Sequence, residues 1–363
     1  MKKINQIEPL ISESDVAAVS EYLQSGGWIT EHEVTQKFEK SISEFCNRKF
    51  AVAVPNGTIA IYLALLANNI SEGKRVAVPN ITMIATVNAI IWAKATPVLI
   101  DVDETLCMSY EKLSKEKDID AVIFVPLNGR TGSGEEIENY CLENKITLIE
   151  DSAHALGSEY ETKKCGSLGD SSIFSFTPHK IITMGQGGLV LLDNEETYTN
   201  LIKLKTFNRE ADKSDIHDGF GLNFKITDLQ ASLGLSQFSK IENFISIKKK
   251  IFENYFKQLN KNYLSFINFN NKEVPWFIDV TLQDENIRSD LSDFLLTKGI
   301  ATRNSYPSLS SQKYLKKVER GNLDYSIEHA NRMLWLPSSL NLTNEDIEMI
   351  SEYIQEYFIK SSN

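Results

Sequence analysis

The stretch SSIFSFTPHKIITMGQGGL, Ser171 to Leu189, decides how the rest of the chain is read. Its first part, Ser172 to Phe176, alternates small and apolar residues and predicts a strand. Thr177-Pro178 breaks that strand, and His179 and Lys180 follow. The turn Gly185-Gln186-Gly187-Gly188 then leads into a second apolar strand, Leu189 to Leu192. A lysine at a strand end, with a proline before it and a glycine turn behind, is placed for covalent chemistry. Among apolar neighbours an amine loses part of its proton affinity and becomes a nucleophile toward aldehydes. The same residues would suit a surface lysine beside a hairpin, so the surrounding chain has to decide.

Outward from this stretch, strands and helices alternate. Phe50 to Val54, Arg75 to Val78, Val98 to Val102, Ala121 to Pro126 and Thr147 to Glu150 are short runs, apolar on both faces. That is the pattern of strands in a mostly parallel sheet covered on both sides. Helices are expected after Thr58 through Leu66, at Thr86 to Ala93 and at Glu135 to Asn144. Two more precede the first strand: residues 12–24, capped at Ser12, and Glu33 to Phe45, with Val34, Phe38 and Ile42 at helical spacing. Downstream, Glu195 to Leu204 predicts a helix, Asn208 to Asn223 a polar loop, and Thr227 to about Leu259 a long helical segment. Val274 to Leu282 predicts a strand, with helices near 286–298 and 343–359. The expected fold is therefore α/β. A large domain, residues 1–245 with a helical arm at its start, carries a mostly parallel mixed sheet between helices. A small α+β domain follows over residues 246–363.

Composition narrows the function. At 363 residues, with 42% hydrophobic and 24% charged side chains, the chain has the make-up of a soluble globular protein. The formal net charge is −11, and the only basic block is Lys248-Lys249-Lys250. A nucleic-acid partner, which needs clustered Lys and Arg, is not expected. No apolar run approaches the ~20 residues that span a bilayer, and the first residues lack the apolar stretch of a secretory signal. No membrane association is expected, and the location expected is cytoplasmic. Cys46, Cys107, Cys141 and Cys165 are widely spaced, which points to reduced thiols rather than disulfides or a metal site.

Ligands of open α/β sheets bind beyond the carboxyl ends of the strands, and several of the expected strands end in suggestive residues. After Val54 comes Asn56-Gly57-Thr58 at a helix start, where free N–H groups suit a phosphate; a plain N-cap is the competing reading. After Ile149 comes Glu150-Asp151-Ser152-Ala153-His154, an acid leaving a buried strand with a histidine three residues on. Asp151 can hold a protonated ring nitrogen and His154 can cover a ring face, or the aspartate can simply cap. After Phe174 come Ser175 and then Lys180. An anion cradle, an acid, a histidine and an amine are together the parts needed for pyridoxal phosphate.

With these motifs in view, the chain resembles the fold-type I enzymes that use pyridoxal 5'-phosphate, in particular the DegT/StrS-type nucleotide-sugar aminotransferases, perosamine-synthase-like members included. The resemblance runs from about Trp28 to Tyr314. FSFTPHKIITMGQGG is similar to the family's FSF-x-x-x-K followed by GEGG or GQGG. It implies that Lys180 is the lysine that carries the cofactor and that Ser175 is a phosphate ligand. EDSAHALGS, similar to ED-x-A-x-A-x-G, implies Asp151 on the pyridine nitrogen and His154 near the ring or its phenolic oxygen. PNGTIAIYLAL implies a phosphate loop of Gly57, Thr58 and Ile59. VPNITMIATVNAI puts Met83 where relatives usually stack an aromatic residue on the ring. GFGLNFKITDLQASLGLSQ implies that Asn223 reaches the phosphate of a neighbouring subunit's cofactor, hence a homodimer with shared active sites. Lys225 stands there in place of a common arginine.

The resemblance implies transfer of an amino group, from L-glutamate, to a keto group of a nucleotide-linked 4-keto-6-deoxysugar, at C-4, in surface-polysaccharide biosynthesis. Lys180 and Asp151 are the expected catalytic residues. Thr30, Arg130, His179, Lys225 and Arg303 are the expected substrate contacts. Around these contacts the chain departs from the family: GWITEHEV lacks a usual glycine, PLNGR replaces L-x-G-H or L-x-G-Q, and Tyr306-Pro307-Ser308 lacks a following histidine. The alternatives are amination at C-3, a sugar dehydratase of the same fold, and a non-catalytic binding or regulatory protein. In the dehydratases a histidine replaces the lysine, whereas this chain keeps Lys180. A binding protein would be expected to have lost Lys180 or Asp151. A nicotinamide enzyme would need GxGxxG where this chain has NGTIA.

Overall fold

The computed structural model describes residues 2–209 and 215–361. The apolar runs expected as strands form β1 (Phe50–Val54), β2 (Arg75–Pro79), β3 (Thr96–Ile100), β4 (Ala121–Phe124), β5 (Thr147–Asp151), β6 (Ser171–Ser175) and β7 (Gly188–Leu192). Later come β8 (Ser265–Phe266), β9 (Ile278–Thr281), β10 (Arg303–Asn304), β11 (Glu319–Arg320) and β12 (Met333–Leu336). The large sheet has the order β1-β7-β6-β5-β4-β2-β3-β11, and a second, antiparallel sheet has the order β10-β12-β9-β8. In the large sheet β2, β3, β4, β5, β6 and β11 pair in parallel. Only β7 runs against its neighbours, pairing antiparallel with both β6 and β1. The mixed, mostly parallel sheet of the sequence reading is therefore what forms, and its class is α/β.

The helices are α1 (Glu13–Gln24), α2 (Glu33–Phe45), α3 (Gly57–Ala67), α4 (Ile84–Trp92), α5 (Tyr110–Leu113), α6 (Gly134–Asn144), α7 (Glu195–Lys205), α8 (Asp228–Phe238), α9 (Ile241–Gln258), α10 (Glu285–Thr297), α11 (Asp324–Arg332) and α12 (Asn344–Ser361). Their starts follow from local chemistry. The Asn56 side chain accepts the Ile59 N–H at 3.0 Å and opens α3. Thr227 and Gln230 form a capping box at the start of α8. β2, β4 and β5 are almost wholly buried, which is why their sequences do not alternate.

Four differences from the sequence reading have physical causes. The long helix expected over 227–259 is two helices, parted at Ser239-Lys240. There the Ser239 hydroxyl turns back to the Ser236 carbonyl (2.7 Å) and Lys240 pairs with Asp15 on α1 (2.6 Å). The strand expected over Val274 to Leu282 shrinks to β9, because its first residues are tied elsewhere. Val274 N–H donates to Ser158 Oγ (2.9 Å) and Trp276 N–H to the Asn128 carbonyl (3.0 Å). β3 begins two residues early and stops at Ile100, since the Asp101 carboxylate leaves the ladder to cap α11 through Tyr325 and Ser326 N–H. β10, β11, β12 and α11 were not foreseen. β12 is buried at all four residues and so carries no alternating signature. Of the expected loop Asn208 to Asn223, residues 210–214 lie outside the described residues.

Both ends of the sequence pack with the second sheet. Ile4 bridges Ile300, with Ile4 N–H on the Gly299 carbonyl (2.9 Å) and Ala301 N–H on the Ile4 carbonyl (2.8 Å). No helix among the described residues is long and apolar enough to cross a membrane. The four cysteines are free and buried.

Candidate active site

β5 and β6 are neighbours, and their carboxyl ends open onto a cavity of about 500 Å³. Its wall includes Gly57, Thr58, Ile59, Met83, Asp151, His154, Ser175, His179, Lys180 and Arg303. The fold thus draws together ten of the residues singled out in the sequence. Four others lie elsewhere. Thr30 is exposed and bridges Thr227, while Asn223 is exposed and bridges Thr206. Lys225 is also exposed. Arg130 requires a correction. It is 1% exposed, salt-bridged to Asp279 through both guanidinium nitrogens, bonded to the Ile267 carbonyl and stacked on Phe269. A guanidinium so enclosed ties the 127–131 turn to β9 and is not part of this cavity's wall.

The end of the cavity at α3 is built for an anion. The first N–H groups of a helix have no partner inside it, and here the chain lets Ser175 come close. A Cβ at Gly57 would sit 2.9 Å from Ser175 Cβ, so only glycine admits that approach. Gly188 plays the matching part at the start of β7, where a Cβ would fall 2.4 Å from the Asn56 carbonyl oxygen. Backbone amides at a helix N-terminus, with the Ser175 hydroxyl beside them, make a phosphate cradle.

The other end is built for a charged ring. Asp151 is 4% exposed and terminates β5. Its Oδ2 accepts from Thr86 Oγ1 at 2.8 Å and its Oδ1 from Ala153 N–H at 3.3 Å. Burial raises its proton affinity, while Thr86 and the charge of Lys180 hold it down. A buried carboxylate of this kind calls for a cationic partner. The His154 ring lies parallel to Trp276 at 3.9 Å and near Tyr306, whose hydroxyl is 3.5 Å from its Nε2. Its Nδ1 has no hydrogen-bond partner among the described residues. Burial, then the charges of Lys180 and Arg303, push its proton affinity well down, so the ring is neutral.

Lys180 lines the same cavity as Ser175 and Asp151. It closes a turn on the Thr177 carbonyl (3.0 Å), and its Nζ stands 4.2 Å from the centre of the Trp276 ring. The amine makes no hydrogen bond or ion pair shorter than 4 Å among the described residues. Crowding by protein lowers its pKa from 10.5 to about 7, with Asp151 opposing and Arg303 adding to the drop. Near neutral pH a large share of the amine is therefore uncharged and nucleophilic. A flat aldehyde with a ring nitrogen and a phosphate, which is to say pyridoxal phosphate, fits this donor set at each point. No cluster of three or more metal-ligating side chains occurs among the described residues.

The sequence reading missed three contributors. Trp276 donates its indole N–H to the His179 carbonyl (2.7 Å) and so pins the residue before Lys180. It lay inside an expected strand, where an aromatic residue signals only core. Tyr306 was noticed for a missing histidine, not for its own ring. Thr86 sits in the first turn of α4, fully buried, and nothing in its sequence setting distinguishes it from an ordinary helix threonine.

Three comparisons bear on this arrangement. Residues 9–355 match the model of the DegT/DnrJ/EryC1/StrS aminotransferase family. The GDP-perosamine synthase of Escherichia coli O157:H7 is 33% identical, over 99% of both chains. That of Vibrio cholerae is 30% identical, over 97% of this chain and 98% of its own. Among solved structures, the aminotransferase TlmJ from Streptoalloteichus hindustanus superposes with a TM-score of 0.93 at 25% identity, covering 99% of this chain and 100% of its own.

Proposed function

This chain belongs to the DegT/DnrJ/EryC1/StrS aminotransferase family, and on that premise we propose that it moves an amino group from L-glutamate to C-4 of a nucleotide-linked 4-keto-6-deoxyhexose. It is a sugar aminotransferase that depends on pyridoxal 5'-phosphate. The observation that carries the reading is the Lys180 amine, brought down to about 7 and unbonded at the wall of a cavity whose far end is an anion cradle. Support for C-4 comes from the likeness to two GDP-perosamine synthases along nearly the whole chain.

The roles follow from the geometry. The N-terminus of α3 and Ser175 would hold the phosphate, and Asp151 the proton of the pyridine nitrogen. Bound there, pyridoxal phosphate supplies an aldehyde for the amines and a ring that accepts electrons when a C–H bond is broken. Lys180 Nζ would anchor the cofactor covalently and, when free, would take up and return a proton. His154 and Trp276 close one wall and exclude water. Arg303 and His179, at the rim, are placed for the anionic parts of the two substrates. Retention of this lysine is what argues against a dehydratase.

The same reading makes the protein a cytoplasmic homodimer with shared sites. Its support is a run of contacts leading to the rim: Thr30 bridges Thr227, and Gln230 Nε2 reaches the carbonyl of Gln186 (2.7 Å), which lines the cavity. Trp28, two residues before Thr30, and Phe220, seven before Thr227, are 69% and 71% exposed, as expected of a surface that another subunit covers. Asn223 lies there too. The decisive experiment is incubation with L-glutamate and a panel of 4-keto and 3-keto nucleotide sugars, locating the new amine by NMR. Amination only at C-3 overturns the position proposed, and amination only of a ketone without a nucleotide overturns the substrate class.

A further inference from the structure

Bonded to Asp151, and not part of the cavity wall, stands a pair of threonines. Thr86 Oγ1 donates to Asp151 Oδ2 at 2.8 Å, and Thr82 Oγ1 lies 3.2 Å from Thr86 Oγ1. Thr82 is 2% exposed and Thr86 fully buried. A hydroxyl has one proton to give. A carboxylate can only accept, so the Thr86 proton is committed to Asp151, and Thr82 must be the donor between the two threonines. The result is a directed chain, Thr82 to Thr86 to Asp151, running from the loop before α4 into its first turn. The only other hydrogen bond to this carboxylate among the described residues is the longer one from Ala153.

We propose that Thr86, oriented by Thr82, is a positioning residue that keeps Asp151 ionised and fixed against the ring nitrogen of the cofactor. This rests on the reading of Asp151 as the ring's acid partner. A hydrogen bond to the charged form of a buried carboxylate favours that form, and a charged acceptor makes the bond a strong one. Without Thr86 the carboxyl would take up a proton at a higher pH and would be free to rotate. Lys180, in the turn after β6, also acts on Asp151, and Tyr306, after β10, feels its charge; His154 beyond β5 and Arg303 on β10 are the other titratable or charged groups of the same cavity wall. None of them is altered by a change at Thr86.

The test uses the holoenzyme and Thr86→Val, which keeps the shape and loses the hydroxyl, with Thr86→Ala as a smaller companion, Thr86→Ser as rescue and Asp151→Asn as control. Pyridoxal phosphate is titrated into each apoprotein. The pH at which bound cofactor is released is followed through its visible absorbance, and the melting temperature of each apoprotein is measured alongside. Thr86→Val and Thr86→Ala should bind the cofactor about tenfold more weakly and release it at a higher pH than wild type. They should also lose turnover with the KM for the donor unchanged, and Thr86→Ser should restore all three. If Asp151→Asn is impaired while Thr86→Val and Thr86→Ala release cofactor at the wild-type pH, the inference about Thr86 is overturned alone. The same holds if only the melting temperature falls. If Asp151→Asn itself binds and turns over like wild type, the reading of Asp151 fails and the inference falls with it.

Discussion

Lys180 and Lys248 approach the same tryptophan from different sides. Lys180 Nζ stands over the Trp276 ring, and Lys248 Nζ donates to the Trp276 carbonyl at 2.8 Å. Burial lowers both amines to about 7. There the likeness ends. Lys248 is 1% exposed, is not part of the cavity wall and places a second bond on the Ser338 carbonyl at 2.5 Å, lacing α9 to the segments that flank β9 and β12. Lys180 has an open cavity before it and no bond to give up. A depressed proton affinity therefore marks an enclosed amine, not a reactive one. What separates the two is an unshared electron pair with room in front of it.

The comparison breaks if the two lysines prove interchangeable. Lys180→Ala should cost roughly 10³-fold or more in turnover, and borohydride should no longer fix cofactor to the chain, as read by mass spectrometry. Lys248→Met should stay within about tenfold of wild type, the cost of small shifts in packing. An equal collapse in both would show that enclosure alone governs activity here.

Arg130 is a third enclosed cation and sharpens the contrast, because its charge is fully paired. Arg130→Ala leaves Asp279 buried with the Asn128 amide but no countercharge, and denaturant unfolding should register a loss of about 3–5 kcal/mol. The KM for the nucleotide sugar, measured well below the melting temperature, should be unchanged. A raised KM with intact stability would return Arg130 to the substrate site.

Proton linkage tests the enclosure of Lys248 next. The folded apoprotein holds Lys248 near 7 against about 10.4 in the unfolded chain. Between those values the unfolded state binds the extra proton, so stability rises with pH, by up to about 1.4 kcal/mol per unit for one group. In Lys248→Met the slope between pH 7 and 10 should flatten by about that amount, as read from melting temperatures. An unchanged slope would mean that Lys248 keeps its proton when folded. The smallest effect is expected at Trp276→Phe. It keeps a ring beside His154 but loses the bond to the His179 carbonyl, worth about 1 kcal/mol. That amounts to roughly a fivefold loss in turnover, and an unaltered rate would leave Trp276 a wall and nothing more.

The sequence made the large sheet legible because its strands are short, apolar on both faces and punctuated by helices at regular intervals. It made much of the cavity wall legible because chemistry at strand ends leaves residues out of pattern: a proline before Lys180, an acid after Ile149, a glycine after Asn56. Arg130 misled for the opposite reason. An arginine after a loop glycine looks available, and its partner Asp279 lies 149 residues away on β9. Trp276 and Thr86 were invisible because each looks like core until its polar atom is paired with something remote. The break between α8 and α9 was equally hidden, since Ser239-Lys240 parts the helix through contacts with α1, not through a glycine or proline.

β11 has a consequence for how the protein is made. A two-residue strand, Glu319–Arg320, closes the outer edge of the large sheet by pairing with β3, whose residues are translated more than 200 positions earlier. At the other end, Ile4 waits for Ile300. During synthesis the flank of β3 thus stays open while most of the chain emerges, and an open strand edge is where nascent chains adhere to one another. Ribosome-bound chains halted before residue 319 would be expected to lean on a chaperone, and full-length chains to be released from it.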